Sequence, residues 1–303
     1  MATDTIAVDI KNEDSPRGFG FVLTAYLLWG VLPLYMKAMA HIPAMEVIAH
    51  RIFWSVPVAG AVLLALGRMG DVKAALSHPR TVAMASVTAM LITINWGTYV
   101  WAIGAGHSLD AALGYFINPL FSIALGALLL KERLAPTQIV AIALAAAAVV
   151  ILTVEAGTLP WVALSLTFSW GFYAFFRKTL PVGPNQGFFI EVLLLCIPAL
   201  LYILYLEARG EGHLYRTGLS DMALLLGCGL VTALPLMIFA NGAKLLRLST
   251  IGIMQYIVPT MVFLIAVFLF KEPFGTTQMI AFSLIWAGLA LYSWSMLRQS
   301  RGR

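Results

Sequence analysis

Residues 117–147, INPLFSIALGALLLKERLAPTQIVAIALAAA, lie without a gap over residues 257–287, IVPTMVFLIAVFLFKEPFGTTQMIAFSLIWA, at a constant offset of 140. Apolar coincidences count for little in so hydrophobic a chain. The register is carried by Pro119 over Pro259, Lys131-Glu132 over Lys271-Glu272, and Thr137-Gln138 over Thr277-Gln278. Upstream, an offset of 141 sets Trp29-Gly30 over Trp170-Gly171, Lys37 over Lys178 and Pro57 over Pro198. Self-similarity at a fixed spacing marks a duplicated structural unit. Each copy occupies nearly half the chain.

Composition says what solvent the copies face. Of 303 residues, 61% are hydrophobic and 11% charged, with a mean hydropathy of +0.90. Soluble domains carry roughly 25% charged residues, so the surrounding medium is lipid. A helix needs about 20 apolar residues to cross the hydrocarbon core. Ten stretches qualify, near 18–38, 44–66, 81–104, 109–130, 136–154, 158–178, 186–206, 221–243, 249–270 and 276–297. These runs are continuous rather than alternating, which excludes a membrane β-barrel. Only 67–80 and 207–220 are long enough to form real loops.

The expected fold is therefore an all-α membrane protein of ten transmembrane helices. It divides into a tail at 1–17, a five-helix repeat at 18–154, a second at 158–297 and a tail at 298–303. Five is odd, so the second copy enters from the opposite face. Such inverted repeats place transport sites near the midplane, between the halves.

The net charge of +5 does not indicate nucleic acid, because the basic residues are scattered singly between apolar runs. Lys37, Arg51, Arg209, Arg216 and Lys271 fall on one side of the expected topology; the other fourteen of the nineteen Lys and Arg share the side of both termini. The positive-inside rule puts that side in the cytoplasm. The polar first 17 residues have no apolar core, so no cleaved signal peptide is expected. Cys196 and Cys228 lie within apolar runs and are expected as free thiols. No phosphate-binding Gly-x-x-x-x-Gly-Lys-Ser/Thr loop, metal-ligand spacing or nucleophile–base pair is present, so neither cofactor, metal nor enzymatic activity is expected.

The five-helix duplication, the Trp-Gly pairs and the Pro…Lys-Glu pattern resemble the drug/metabolite transporter superfamily. Residues 49–55 (AHRIFWS), 113–120 (LGYFINPL) and 247–250 (RLST) resemble its RarD-type branch. The resemblance covers essentially residues 18–297. It implies a ten-helix basket with a central cavity lined by helices one, three, four, six, eight and nine, and its architecture is similar to that of a bacterial amino-acid exporter. A monomer in the inner membrane, exporting amino acids or amphipathic metabolites, is the implied activity. Drug efflux is the nearest alternative, and a non-transporting scaffold or receptor belongs to another class.

Depth in the membrane selects candidate site residues. Trp29 and Trp170 fall near the centres of their helices, either walling a cavity or packing on the adjacent glycines. Asn95 and Tyr99 share a helical face with Trp96 at its edge, and read either as cavity lining or, for Asn95, as interhelical glue. Trp101 lies nearer the interface, where Trp is commonly an anchor. Tyr115, Asn118 and Pro119 sit on about one turn and are matched by Gln255, Tyr256 and Pro259, with the two prolines as paired hinges or packing kinks. Tyr173 completes the binding set beside Trp170. Ionisable residues within the hydrocarbon are functional by default, and the candidates are His50 and Arg51 in the second helix and Glu191 in the seventh. His50 and Glu191 are equivalent under the 141 offset and are candidates for proton or charge coupling, or for wetted or paired positions near the interfaces. Lys131-Glu132 and Lys271-Glu272 read as solvated helix ends, and Glu46 and Asp110 as surface groups.

Overall fold

A computed structural model describes residues 15–129, 135–243, 245–246 and 254–301. Their regular structure is helical: α1 (Pro16–Ala38), α2 (Ala44–Ala65), α3 (Met69–Leu76), α4 (Pro79–Ala105), α5 (Ser108–Leu129), α6 (Pro136–Ala156), α7 (Trp161–Thr179), α8 (Pro184–Arg209), α9 (Leu219–Ala243), α10 (Ile257–Leu264, continuing as a π-helical turn over Ile265–Leu269) and α11 (Thr276–Arg301). Lys131-Glu132 and the 247–250 segment lie outside the described residues.

The punctuation is chemical. Prolines open α1, α4, α6 and α8 in the first turn, where the missing N–H costs nothing. Gly106 and Gly210 close α4 and α8 at φ 81° and 76°, a left-handed stop that side chains resist. Internal prolines, including Pro33, Pro57 and Pro198, are tolerated in α1, α2 and α8.

Among the described residues six helices, α1, α2, α4, α6, α8 and α9, are long and apolar enough to cross a membrane. The outer surface is correspondingly apolar: Leu64, Leu128, Val154, Leu201 and Phe268 are all more than half exposed. So many exposed large apolar side chains suit lipid rather than water. The chain is a multi-pass helical membrane protein.

The 67–80 stretch is more than a loop. It contains α3, whose Val72 and Ala75 are buried and which packs against α8. Asp71 there accepts hydrogen bonds from Arg68 and, at 2.9 Å, from Gln186 of α8. Those donors hold its carboxyl below the usual carboxylate range.

Packing pairs the helices in an orderly way. α1 lies against α9 and α10, while α7 lies against α4 and α5; α2 meets α8, α5 meets α10 and α6 meets α11. Gly30 faces Met261 of α10, and Gly171 faces Phe121 of α5, each so close that a Cβ would overlap the neighbour's side chain. Phe121 and Met261 are themselves 140 residues apart, so the two glycines make the same crossing with exchanged partners.

Several side-chain contacts tie the helices together at one end of the bundle. Glu46 at the start of α2 is 1% exposed and accepts from the amide and Nδ1 of His213 at 2.7 and 2.8 Å. It is an internal clamp rather than a surface group. His41 meets Asp221 at 3.0 Å. Glu272 is not a solvated helix end either: its two oxygens accept the Ser108 and Leu109 amides, each at 2.9 Å. This caps α5 from the far half of the sequence. The chain turns into position through Lys271, a non-glycine residue at φ 57°.

Candidate functional site: a central cavity

Between the helices lies a cavity of about 590 Å³, within the size range of small-molecule sites. α1 contributes Tyr26 and Trp29, and α4 contributes Asn95, Trp96 and Tyr99. α5 adds Tyr115 and Asn118, and α7 adds Trp170 and Tyr173. Gln255, Val258 and Pro259 close the wall at the start of α10. Pro184 and Asn185, in the first turn of α8, also line it. The cavity thus extends toward the end opposite the Glu46 and Glu272 clamps.

The Trp-Gly pairs divide their labour. Their glycines take the helix crossings, leaving Trp29 and Trp170 to face the cavity. Trp29 packs 5.9 Å from Tyr26 and 5.6 Å from Phe239 between ring centroids, and Trp170 lies 5.6 Å from Tyr173. Such tilted clusters fix ring orientation.

Asn95 serves both roles that its position allows. It lines the cavity, while its Nδ2 donates to the Leu166 carbonyl at 3.1 Å and to Ser169 Oγ at 3.0 Å on α7. Thr98 and Ser165 meet at 3.0 Å along the same seam. Interhelical hydrogen bonds in membranes contribute roughly 0.6–2 kcal/mol. Asn95→Leu, which keeps the branched outline and removes both donations, is expected to destabilise by about 1–2 kcal/mol, read as a lowered thermal unfolding midpoint in detergent.

Some candidates stand elsewhere. Trp101 is 40% exposed and packs on Trp161 and His107 at 4.9 and 5.3 Å, away from the cavity at the clamped end. Tyr256 packs against the apolar cluster of α5, α6, α10 and α11. Pro119 is buried behind the wall that Pro259 reaches. His50 is buried in α2, its Nδ1 accepting from Trp54 Nε1 at 3.1 Å, and does not line the cavity. Glu191 is 1% exposed and accepts from Tyr173 at 3.1 Å, one side chain behind the wall. Both are buried and paired.

Arg51, an ionisable candidate of the second helix but outside the expected binding set, belongs to the cavity wall itself. Its place near the start of α2 suggests an outer-side cation, yet it is 3% exposed and lines the cavity. Its guanidinium sits 4.9 Å over the Trp96 ring, and Nε donates to Thr232 Oγ1 of α9 at 3.1 Å. The cost of an ionisable residue within the hydrocarbon was the available signal. Thr232, Phe188 and Phe239, also at the cavity, carry no mark in the sequence.

A membrane-spanning helical bundle that holds an aromatic-walled chamber with a few polar groups among its helices has the build of a carrier. The model of the EamA-like transporter family matches the chain twice, over residues 16–154 and 159–294, and the chain belongs to that family, in the RarD-type branch of the drug/metabolite transporter superfamily. Protein RarD of Streptomyces exfoliatus is 40% identical over 293 residues, covering 96% of this chain and 93% of its own. An uncharacterized transporter of Pseudomonas aeruginosa is 39% identical, covering 94% and 96%. The chloramphenicol-sensitive protein RarD of the same species is 30% identical, covering 95% and 97%. One crystal structure, 21% identical, shares the fold with a TM-score of 0.60 over 93% of this chain and 98% of that one.

Proposed function

We propose that this transporter carries amino acids, aromatic and other neutral ones included, out of the cell through the central cavity by alternating access. Ten spanning helices form two inverted five-helix repeats, at 18–154 and 158–297, in a bacterial inner membrane with both termini in the cytoplasm. The monomer, surrounded by lipid, is the working unit. The observation that carries the reading is that Trp29 and Trp170, equivalent in the two copies, face one chamber. Two copies related by inversion can rock around such a shared site. The exchanged Gly30 and Gly171 crossings support the same symmetry.

The chamber favours a zwitterion with an apolar side chain. Indole and phenol faces supply the apolar walls. Asn118 Oδ1, buried and without a hydrogen-bond partner among the described residues, supplies an acceptor for an ammonium group. Pro259 is placed as a hinge at the chamber's edge, and Glu191 acts on the site through Tyr173. Efflux of amphipathic drugs is a second reading, favoured by the name of the chloramphenicol-sensitive relative.

The test is counterflow of labelled amino acids into liposomes holding the purified protein, with and without a proton gradient. Uptake of phenylalanine or leucine is the expected result; uptake of chloramphenicol alone would replace the substrate assignment. Trp29→Ala and Trp170→Ala are each expected to cut uptake about five- to tenfold, matching the loss of a stacked aromatic contact of about 1–1.5 kcal/mol. Normal uptake in both variants would remove the chamber from the pathway.

A further inference from the structure

We infer that Arg51 is the anchor for a carboxylate on the transported solute, so that the chamber selects organic acids and zwitterions over neutral or purely cationic molecules. The inference rests on the transport reading of the same chamber and specifies which end of the solute binds where.

Three observations carry it. First, Arg51 is buried at the chamber wall, and its Nη1 has no hydrogen-bond partner among the described residues. A guanidinium offers five N–H donors, and here Nε alone has a protein acceptor among the described residues, Thr232 Oγ1. Second, no described carboxylate pairs with it. The titratable groups close enough to act on it are Cys228, Tyr99, Tyr115 and Tyr35, a thiol and three phenols. An unpaired buried cation is expensive, and a ligand carboxylate would offset that cost. Third, the guanidinium is held ready. Stacking on Trp96 and the bond to Thr232 fix its plane, and a fixed planar fork matches a carboxylate better than a flexible ammonium does.

Arg51 and Thr232 come from α2 and α9, and Trp96 from α4. Binding at this point therefore touches helices from both halves of the chain. A solute held here by its carboxylate extends its side chain among the aromatic walls.

The experiment measures binding to the intact protein in detergent by tryptophan fluorescence, using paired ligands with and without a carboxylate. The pairs are L-phenylalanine and L-phenylalaninamide, 3-phenylpropionate and 3-phenylpropan-1-ol, and L-leucine and L-leucinol. In at least one pair the carboxylate is expected to bind about tenfold tighter, the scale of one charge-assisted contact. That preference should fall below about twofold in Arg51→Gln and survive in part in Arg51→Lys. Where Arg51→Gln does not fold, Thr232→Val is read instead, with the preference expected to shrink severalfold. Equal binding within every pair, a preference that persists in Arg51→Gln, or no binding of any carboxylate overturns the inference. Binding of 3-phenylpropionate but of neither amino acid keeps the anchor and sinks the amino-acid reading. Amino-acid binding without carboxylate preference does the reverse.

Discussion

Gly229→Val is expected to abolish most folded protein, whereas Gly20→Val leaves it intact. At Gly229, α9 lies directly on the backbone of α2: a Cβ there would overlap the Trp54 carbonyl and stand 2.8 Å from Trp54 Cβ. A side chain can swing aside, but a helix backbone can yield only by moving the helix. Inserting bulk into a packed core costs about 1–3 kcal/mol when neighbours adjust, and this site exceeds that range because they cannot. At Gly20 nothing lies within 4 Å, so it controls for the change of residue type. The fraction of monodisperse protein on size exclusion and the thermal midpoint of both variants check the result. Any folded Gly229→Val protein should also transport poorly, since a displaced α2 carries Arg51 out of register with Thr232.

Glu272→Ala is expected to lower stability by about 2–3 kcal/mol, and Glu272→Gln by less. The carboxylate takes both free amides at the start of α5, and hydrogen bonds to a charged group contribute about 1.5–3 kcal/mol each. Its partial exposure reduces the sum. Glutamine keeps one acceptor and loses the charge that favours a helix N-terminus. Faster hydrogen exchange at Ser108 and Leu109 in both variants, together with the thermal midpoint, checks the contact. Glu155→Ala, at an exposed position, should stay within about 0.5 kcal/mol of the parent. An equal loss at Glu155 would show that the effect is not the cap.

Helix placement was legible because lipid leaves the chain few choices. Every backbone group must be satisfied within the segment, so the apolar run at 44–66 becomes Ala44–Ala65 and that at 81–104 becomes Pro79–Ala105. α3 escaped notice because eight residues in a polar stretch carry too little pattern. The chamber was legible in part, through residues the copies share: Trp29 with Trp170 and Tyr115 with Gln255. The same method hides what the copies do not share. Arg51 aligns with Val192 and Asn95 with Leu236. The cation and the amide that hold α4, α7 and α9 together around the chamber stand on one side of the repeat only. Glu46 and Glu272 were misread for another reason. Their partners, His213 and the α5 amides, are more than 160 residues away in sequence, and no local pattern announces so distant a contact.

The uncompensated guanidinium of Arg51 also has an electrical meaning. A carrier holding a monocarboxylate there has a neutral centre, while one holding a zwitterion keeps a full positive charge. Moving a unit charge through the whole membrane field costs about 2.3 kcal/mol per 100 mV, and a displacement of Arg51 through part of that field costs a proportionate share. The voltage across the membrane would then bias the two kinds of cargo differently, even where their affinities are equal.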